Sequence, residues 1–147
     1  MKLSFIINRI DEPEELKYEP WNITDNEYTS GYPSWVLYSN GKPLAGLSNN
    51  SDDQNNVIIR HIEALKPGNG YGVKLLKKLL KKGVFISTGQ PEYNSISPPA
   101  HKLFKKIHKM AKKLGIKSKM IGKANNKDFS YDELDGEDVQ HYHWGKK

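Results

Sequence analysis

The stretch NVIIRHIEALKPGNGYGVKLLKKLLKKG, residues 56–83, decides the fold, because it predicts a strand, a glycine-rich turn and a basic helix in succession. Gly68, Gly70 and Gly72 alternate through the turn, so that the backbone can approach a ligand without Cβ atoms in the way. The free N–H groups and the dipole of the following helix favour an anion at this position. The pattern therefore predicts a turn that can hold phosphate.

The same turn has a second interpretation, in which the glycines only close a tight connection between strand and helix. In the first interpretation Lys66 and Lys74 would add positive charge beside the bound anion. The glycine spacing alone leaves both interpretations open.

Two amphipathic helices are predicted from apolar residues at helical spacing. The first runs from Tyr71 to Lys82 and ends at Gly83, with lysines on its outer side. The second begins at the N-cap residue Ser97 and ends before Gly115. A turn at Asn40-Gly41, the strongest turn signal in the chain, predicts a hairpin ahead of both helices.

The remaining segments complete an α+β pattern without repeats. A helical or irregular stretch is expected to start at Glu12, polar loops are expected at 21–33 and 49–56, and an acidic loop is expected at 127–138. The predicted strands are Lys2–Ile10, Trp35–Ser39, Leu44–Ser48, Val57–Leu65, Val84–Thr88, Ser118–Lys123 and Val139–Trp144.

Composition narrows the class of protein. A chain of 147 residues with 36% hydrophobic content suits one globular domain, and we expect that domain to span residues 1–147. No run approaches the roughly 20 apolar residues that cross a bilayer, and the opening residues lack the pattern of a signal peptide. We therefore expect a cytoplasmic protein that does not associate with a membrane. The absence of cysteine excludes disulfides, cysteine-based zinc sites and a thiol nucleophile.

Charge is divided unevenly along the chain. Residues 66–127 contain 16 lysines and one acid, Glu92, whereas residues 1–65 have a net charge of −5 and residues 128–147 a net charge of −4. This division predicts a basic face and an anionic partner, although lysines that merely solvate two helices would give the same counts. The chain has two arginines, Arg9 and Arg60, so diffuse attraction is favoured over sequence-specific recognition.

The order of elements resembles that of the GNAT family, the Gcn5-related N-acetyltransferases, over nearly the whole chain. The family's turn motif, [Gln/Arg]-x-x-Gly-x-[Gly/Ala], is matched by residues 67–72, PGNGYG, except that Pro67 replaces Gln or Arg. The segment SPPAHKLFKKI, residues 97–107, is similar to the family's fourth-helix pattern, with Phe104 in place of a tyrosine. The resemblance implies a GNAT-like sheet, mixed and mostly antiparallel, with flanking helices.

The resemblance also implies acetyl-CoA as cosubstrate, an amine as acceptor and no metal. In such folds the fourth and fifth strands splay apart, the pantetheine arm lies between them, and the pyrophosphate sits on the glycine turn. The backbone of Ala64, Leu65 and Lys66 would then contact pantetheine. The residues assigned to the pyrophosphate and its surroundings are Gly68, Asn69, Gly70, Tyr71, Gly72 and Lys74.

Direct transfer of the acetyl group needs a base for the amine proton and an acid for the departing thiolate. Glu63 is the first candidate base, and His61, two residues earlier and on the same strand face, is the second. Either side chain could instead be structural. The family's usual acid is the tyrosine that Phe104 replaces, and Tyr93 or Tyr71 are the substitutes that the sequence offers.

Two further observations leave alternatives open. His141 and His143 would lie on one face of a terminal strand and could bind a metal, but the expected arrangement is an exposed strand that packs through Tyr142 and Trp144 and could pair in a dimer. The competing function is a catalytically inactive GNAT-fold protein, of a kind found among phage-encoded proteins, that binds nucleic acid or a protein through its lysine-rich helices.

For the acetyltransferase, the acidic loop at 127–138 could line the site of the acceptor amine. That acceptor would then be a cation such as a polyamine, an aminoglycoside or a lysine side chain.

Overall fold

The computed structural model of the chain describes residues 14–88, 98–124, 127–131 and 139–145. Over these residues the chain forms eight strands and two helices. In chain order they are β1 (Glu14–Pro20), β2 (Pro33–Ser39), β3 (Lys42–Asn49), β4 (Asn56–Ala64), α1 (Tyr71–Lys82), β5 (Phe85–Ser87), α2 (Pro98–Lys113), β6 (Ser118–Ala124), β7 (Lys127–Tyr131) and β8 (Val139–Trp144).

The strands form one sheet in the order β1-β2-β3-β4-β5-β8-β6-β7. Neighbouring strands are antiparallel, except that β4 and β5 run parallel. A parallel pair needs a crossover connection, and α1 provides it. The prediction of an α+β fold with a mixed, mostly antiparallel sheet and flanking helices is confirmed at this level.

Both helices pack on one face of the sheet, which we call the helix face. Four leucines of α1 and the inward side of α2 are buried there against residues from β2, β3, β6 and β8. Removing each large apolar side chain from water stabilises the fold by about 1.5–3 kcal/mol. The fully buried side chains of this core include Leu37, Leu47, Leu75, Leu76, Leu79, Ile86, Ile107, Met120, Tyr142 and Trp144.

The opposite face, which we call the loop face, is covered in its middle by the β1–β2 loop, residues 21–32. Trp21 is buried against β3, and a Cβ atom at Gly46 would lie 2.7 Å from Cγ1 of Ile23 and 3.1 Å from Cζ3 of Trp21. Only glycine at this position of β3 therefore lets the loop lie so close to the sheet.

A bulge in β4 fastens the same loop. Ser48 pairs with His61 and Asn49 pairs with Ile59, so Arg60 is the extra residue of β4. Its Nε donates a hydrogen bond of 3.0 Å to the carbonyl oxygen of Tyr28, and its guanidinium lies 4.1 Å from the ring centroid of Tyr32. Because Arg60 is the bulge residue, its side chain is directed toward the β1–β2 loop, where it contacts Tyr28 and Tyr32.

Several predicted elements are confirmed within a residue or two. The helix Tyr71–Lys82 has the predicted bounds, and Gly83 ends it in the left-handed conformation with φ 94°. The hairpin β2–β3 turns at Asn40 and Gly41, whose φ angles of 52° and 77° are those of a two-residue turn that matches strand twist. The predicted strand Lys2–Ile10 lies outside the described residues.

Three predictions about elements are wrong. Glu14 to Leu16 belong to β1 rather than to a helical or irregular stretch, because Leu16 and Tyr18 alternate inward while the strand pairs with β2. Part of the expected acidic loop forms β7, which pairs with β6 as a hairpin. The strand β8 is not exposed, since it lies between β5 and β6.

The described helices are also too short and too polar to cross a lipid bilayer.

Candidate functional site

The glycine turn lies between the end of β4 and the start of α1, as predicted. Gly68 and Gly70 adopt φ angles of 91° and 72°, a region that residues with a side chain rarely enter. A Cβ atom at either residue would meet nothing within 4 Å, so the space around the turn is open. Gly72 differs, because it lies inside α1, where a Cβ atom would be 3.5 Å from Leu103 of α2.

The first turn of α1 offers amide groups that have no partner among the described residues at this opening. Gly70 caps the helix without a side-chain hydrogen bond, and the helical ladder begins with the N–H of Lys74, which donates to the carbonyl oxygen of Gly70 at 3.0 Å. The N–H groups of residues 71–73 therefore precede the ladder and have no partner within the helix. No acid lies in this turn, so both the amides and the helix dipole favour an anion.

The second half of β4, which leads into the turn, is separated from its parallel neighbour β5. The described pairs of β4 with β5 are Asn56 with Phe85, Val57 with Ile86 and Ile58 with Ser87. Of the next six residues of β4, up to Ala64, all but the bulge residue Arg60 pair with β3 on one side, while the chain after β5 hydrogen-bonds to β8 through Thr88. Among the described residues, β4 and β5 thus part at Ile58 and Ser87.

The main-chain groups that border this separation alternate along β4. The N–H of Leu65 donates to the carbonyl oxygen of Leu44 in β3, at 2.9 Å. Because successive residues of an antiparallel strand direct their main-chain groups to opposite sides, those of Ala64 and Ile62 are directed away from β3. Of the backbone groups predicted to contact pantetheine, Ala64 has the required direction, and Ile62 is a residue that the sequence reasoning missed.

Glu63 and His61 meet on the loop face, which confirms that they share one side of the strand. Nε2 of His61 lies 3.0 Å from Oε1 of Glu63, and the hydroxyl of Thr24 donates to the same oxygen at 3.2 Å. The edge of the Trp21 ring packs against His61, with 5.5 Å between the ring centroids. The second carboxylate oxygen of Glu63, Oε2, has no hydrogen-bond partner in the described part of the chain.

Glu63 also borders a cavity of about 690 Å³ under the β1–β2 loop. The side chain of Glu63 is 30% exposed, so it is accessible from this cavity, and that of His61 beside it is 36% exposed. The carboxylates of Asp25 and Glu27 and the phenol of Tyr28 belong to its lining. Three carboxylates around one opening favour a cationic occupant.

Phe104 is buried in the core and cannot serve as an acid. Its ring centroid lies 5.6 Å from that of Tyr142 and 5.5 Å from that of Trp144. The hydroxyl of Tyr142 lies 3.5 Å from Nδ1 of His101, and the N–H of Tyr142 donates to the hydroxyl of Thr88, just beyond the point where β5 leaves β4. The sequence reasoning did not single out the Tyr142 hydroxyl, since only the packing of α2 on β8 places it beside His101.

Burial shifts the pKa values of Tyr142 and His101 in the directions that favour their neutral forms. It raises the pKa of Tyr142, and it lowers the pKa of His101, with a smaller contribution from the charge of Lys105. At neutral pH the phenol is therefore protonated and the imidazole is uncharged, which makes the contact a neutral hydrogen-bonding pair.

Tyr71 and Lys74 lie together at a second cavity, of about 370 Å³, beside the start of α1. Lys74 forms an ion pair with Glu14 of β1, and Lys78 lies 3.3 Å from the other carboxylate oxygen of Glu14. The hydrogen bond from Lys74, supported by Lys78, lowers the pKa of Glu14 although partial burial opposes the shift. Lys74, whose charge was predicted to lie beside the bound phosphate, is thus paired with a carboxylate of β1.

The remaining predicted residues have the following positions. Lys66 and Asn69 are exposed, and Nδ2 of Asn69 donates to the carbonyl oxygen of Lys66 at 3.2 Å, which closes the turn. His141 and His143 are adjacent, with 4.8 Å between their ring centroids, but the described residues contain no group of three or more side chains suited to a metal ion. Tyr93, the substitute acid, lies outside the described residues.

No family model, no curated protein and no solved structure matches this chain.

Replacing Glu14 with glutamine tests the ion pairs that hold Lys74. A carboxylate whose pKa is lowered on folding stabilises the protein above its ordinary pKa of 4.5, and this stabilisation is lost as the pH falls through the lowered value. We expect E14Q to be less stable than the wild type by about 1 kcal/mol at pH 7, and this difference to close between about pH 5 and pH 3. Urea unfolding at several pH values measures it.

The matched control is E15Q, which removes an exposed carboxylate from the neighbouring position of β1. It should change the free energy of unfolding by less than 0.5 kcal/mol in magnitude, roughly the range of ordinary surface substitutions. A difference for E14Q that persists unchanged at pH 3 would contradict the assignment.

Proposed function

We propose that the chain is a GNAT-type N-acetyltransferase, which transfers the acetyl group of acetyl-CoA directly to a cationic amine. The observation that carries this proposal is the separation of β4 from β5 after Ile58, so that the second half of β4 leads into the glycine turn without a described partner on the β5 side. Among the described residues, it brings a strand edge without a partner close to helical amides without a partner, and the two halves of CoA require these two features.

The strand edge suits the pantetheine arm. The main-chain groups of Ile62 and Ala64 point away from β3, and pantetheine contains two amides that can pair with a strand in the manner of β-augmentation. The pyrophosphate would then lie at the N–H groups of residues 70–73, where the open space around Gly68 and Gly70 admits it. This arrangement binds CoA through backbone N–H groups rather than side chains. The replacement of the motif's Gln or Arg by Pro67 is therefore compatible with it.

The acceptor amine would enter through the cavity on the loop face. A thioester that lies beside β4 in the plane of the sheet would be next to Glu63, whose side chain faces this cavity. Asp25, Glu27 and Glu63 would attract an ammonium group, and the amine must lose a proton before it can attack the carbonyl carbon.

Glu63 is the proposed base. Thr24 and His61 hold its oxygen Oε1, which leaves Oε2 to accept the proton from the amine. The neutral nitrogen attacks the acetyl carbonyl to form the carbon–nitrogen bond, the carbon–sulfur bond breaks so that CoA departs as a thiolate, and the nitrogen loses its second proton to solvent water to give the amide. Because a thiolate is a tolerable leaving group, this transfer does not require the tyrosine that Phe104 replaces.

The pyrophosphate assignment is tested with G70D against G70N. Asp and Asn both tolerate the left-handed conformation of residue 70 and have the same shape, so the two variants differ in one negative charge. We expect G70D to bind CoA at least tenfold more weakly than G70N by isothermal titration, because its carboxylate repels the phosphates. Equal affinities for the two variants would rule the turn out as the phosphate site.

The base is tested with E63Q, which preserves the shape of the side chain and its contact with Thr24. We expect kcat for polyamine, aminoglycoside and lysine-peptide acceptors to fall at least tenfold, since a positioned base contributes about 10²–10⁴ to the rate, while the affinity for CoA stays unchanged. Release of free CoA thiol measures the rate, and E15Q is the control. An unaltered kcat in E63Q would exclude Glu63 as the base.

A further inference from the structure

The outward side of α2 carries a straight line of lysines, which we call the lysine ridge: Lys102, Lys106, Lys109 and Lys113. All four side chains are exposed. Their spacing of four, three and four residues places them on one side of the helix over four successive turns, spanning about 16 Å along its axis.

The opposite side of α2 fixes the direction of the ridge. Phe104, Ile107 and Ala111 are buried in the core on the helix face, and His108 is buried where its Nδ1 meets the hydroxyl of Ser118 at 2.5 Å. Since these residues occupy the inward side of the helix, the lysine ridge points away from the sheet and into solvent.

No acid neutralises this ridge in the described part of the chain. Neither α1 nor α2 contains an Asp or a Glu, and none of the four ridge lysines forms an ion pair with a described carboxylate. Like charges at positions i and i+4 destabilise a helix by about 0.2–0.5 kcal/mol per pair. A bound polyanion would remove this cost.

We propose that the lysine ridge binds the phosphate backbone of duplex nucleic acid. A duplex presents phosphates on each strand at about 3.4 Å along its axis, so the ridge matches the length of about five consecutive phosphates. Lysines, unlike arginines, provide point charges rather than bidentate forks, and the binding therefore does not depend on base sequence.

Two features of the ridge favour a duplex over other anionic partners. A single strand is held mainly by stacking of its bases on aromatic side chains, and the outward ridge has none. An amphipathic helix that inserts into a membrane surface uses its apolar side, and in α2 that side is already buried in the core. The proposal does not depend on acetyl transfer, because the ridge lies outside the glycine turn and the loop-face cavity.

The test measures binding of a fluorescent 20-base-pair duplex by anisotropy between 50 and 200 mM NaCl, with the full chain. The wild type should bind more weakly as salt rises. The variant K102Q/K106Q/K109Q/K113Q should bind at least tenfold more weakly at 100 mM NaCl, and the slope of log K against log salt should fall in magnitude by about 3 to 4, since each lost phosphate contact removes about 0.9.

The control variant is K17Q/K119Q, compared with the two-site variant K106Q/K109Q. Lys17 and Lys119 are also exposed, but their neighbours Tyr18 and Met120 pack on the helix face, so both lysines project from the other side of the sheet. The ridge pair should lower the slope by about 2 and the control pair by less than one. Circular dichroism confirms that all variants are folded.

Four results would overturn the proposal. The first is no binding of the duplex at 50 mM NaCl, and the second is an equal decrease of the salt slope in the ridge pair and the control pair. The third is tighter binding of a single strand than of the duplex. The fourth is that polyglutamate competes as effectively as unlabelled duplex at equal charge. Acetyl-CoA binding, measured on the same variants, reports separately on the proposed acetyltransferase.

Discussion

The pairing of β4 is the constraint on which the candidate site depends. Its first three residues pair with β5, and of these Ile58 is also bonded to Asn49 and Asn50 at the end of β3, whereas the described strand pairing from Ile59 to Ala64 is with β3 alone. Main-chain amides that leave a sheet need another hydrogen-bonding partner, and a chain-like ligand with its own amides can provide one. Because the strand runs directly into α1 through the glycine turn, the same geometry delivers the free amides of a helix start to the same place.

The bulge at Arg60 relates this strand edge to the loop face. It changes which residues of β4 face the helices, so that Ile62 and Ala64 pack toward the core while His61 and Glu63 face the β1–β2 loop. The loop is held close by the missing side chain at Gly46 and by Arg60 itself. A carboxylate on the loop face and a strand edge that has no described partner thus come from the same few residues.

Local signals in the sequence were sufficient for α1, the β2–β3 hairpin and the glycine turn. In each, residues a few positions apart decide the geometry: the leucine spacing of α1, Asn40-Gly41, and the left-handed glycines 68 and 70. The pairing of His61 with Glu63 was also predictable, because alternation along a strand fixes the side on which each lies.

What the sequence did not reveal depends on contacts between distant segments. The acidic start of β1 resembles a helix N-terminus until its pairing with β2 is known, and β8 resembles an exposed terminal strand until its position between β5 and β6 is known. The contact of Thr24 with Glu63 spans 39 positions, and that of Tyr142 with His101 spans 41. No local pattern encodes such contacts.

Residue-resolved amide hydrogen exchange, measured by NMR with and without saturating acetyl-CoA, tests the central claim most directly. The account predicts slower exchange for the amides of Ile62 and Ala64 and for those of residues 71–73, while the amide of Leu65, already bonded to Leu44, changes little. Unchanged exchange at Ile62, Ala64 and residues 71–73 in the presence of acetyl-CoA would contradict it.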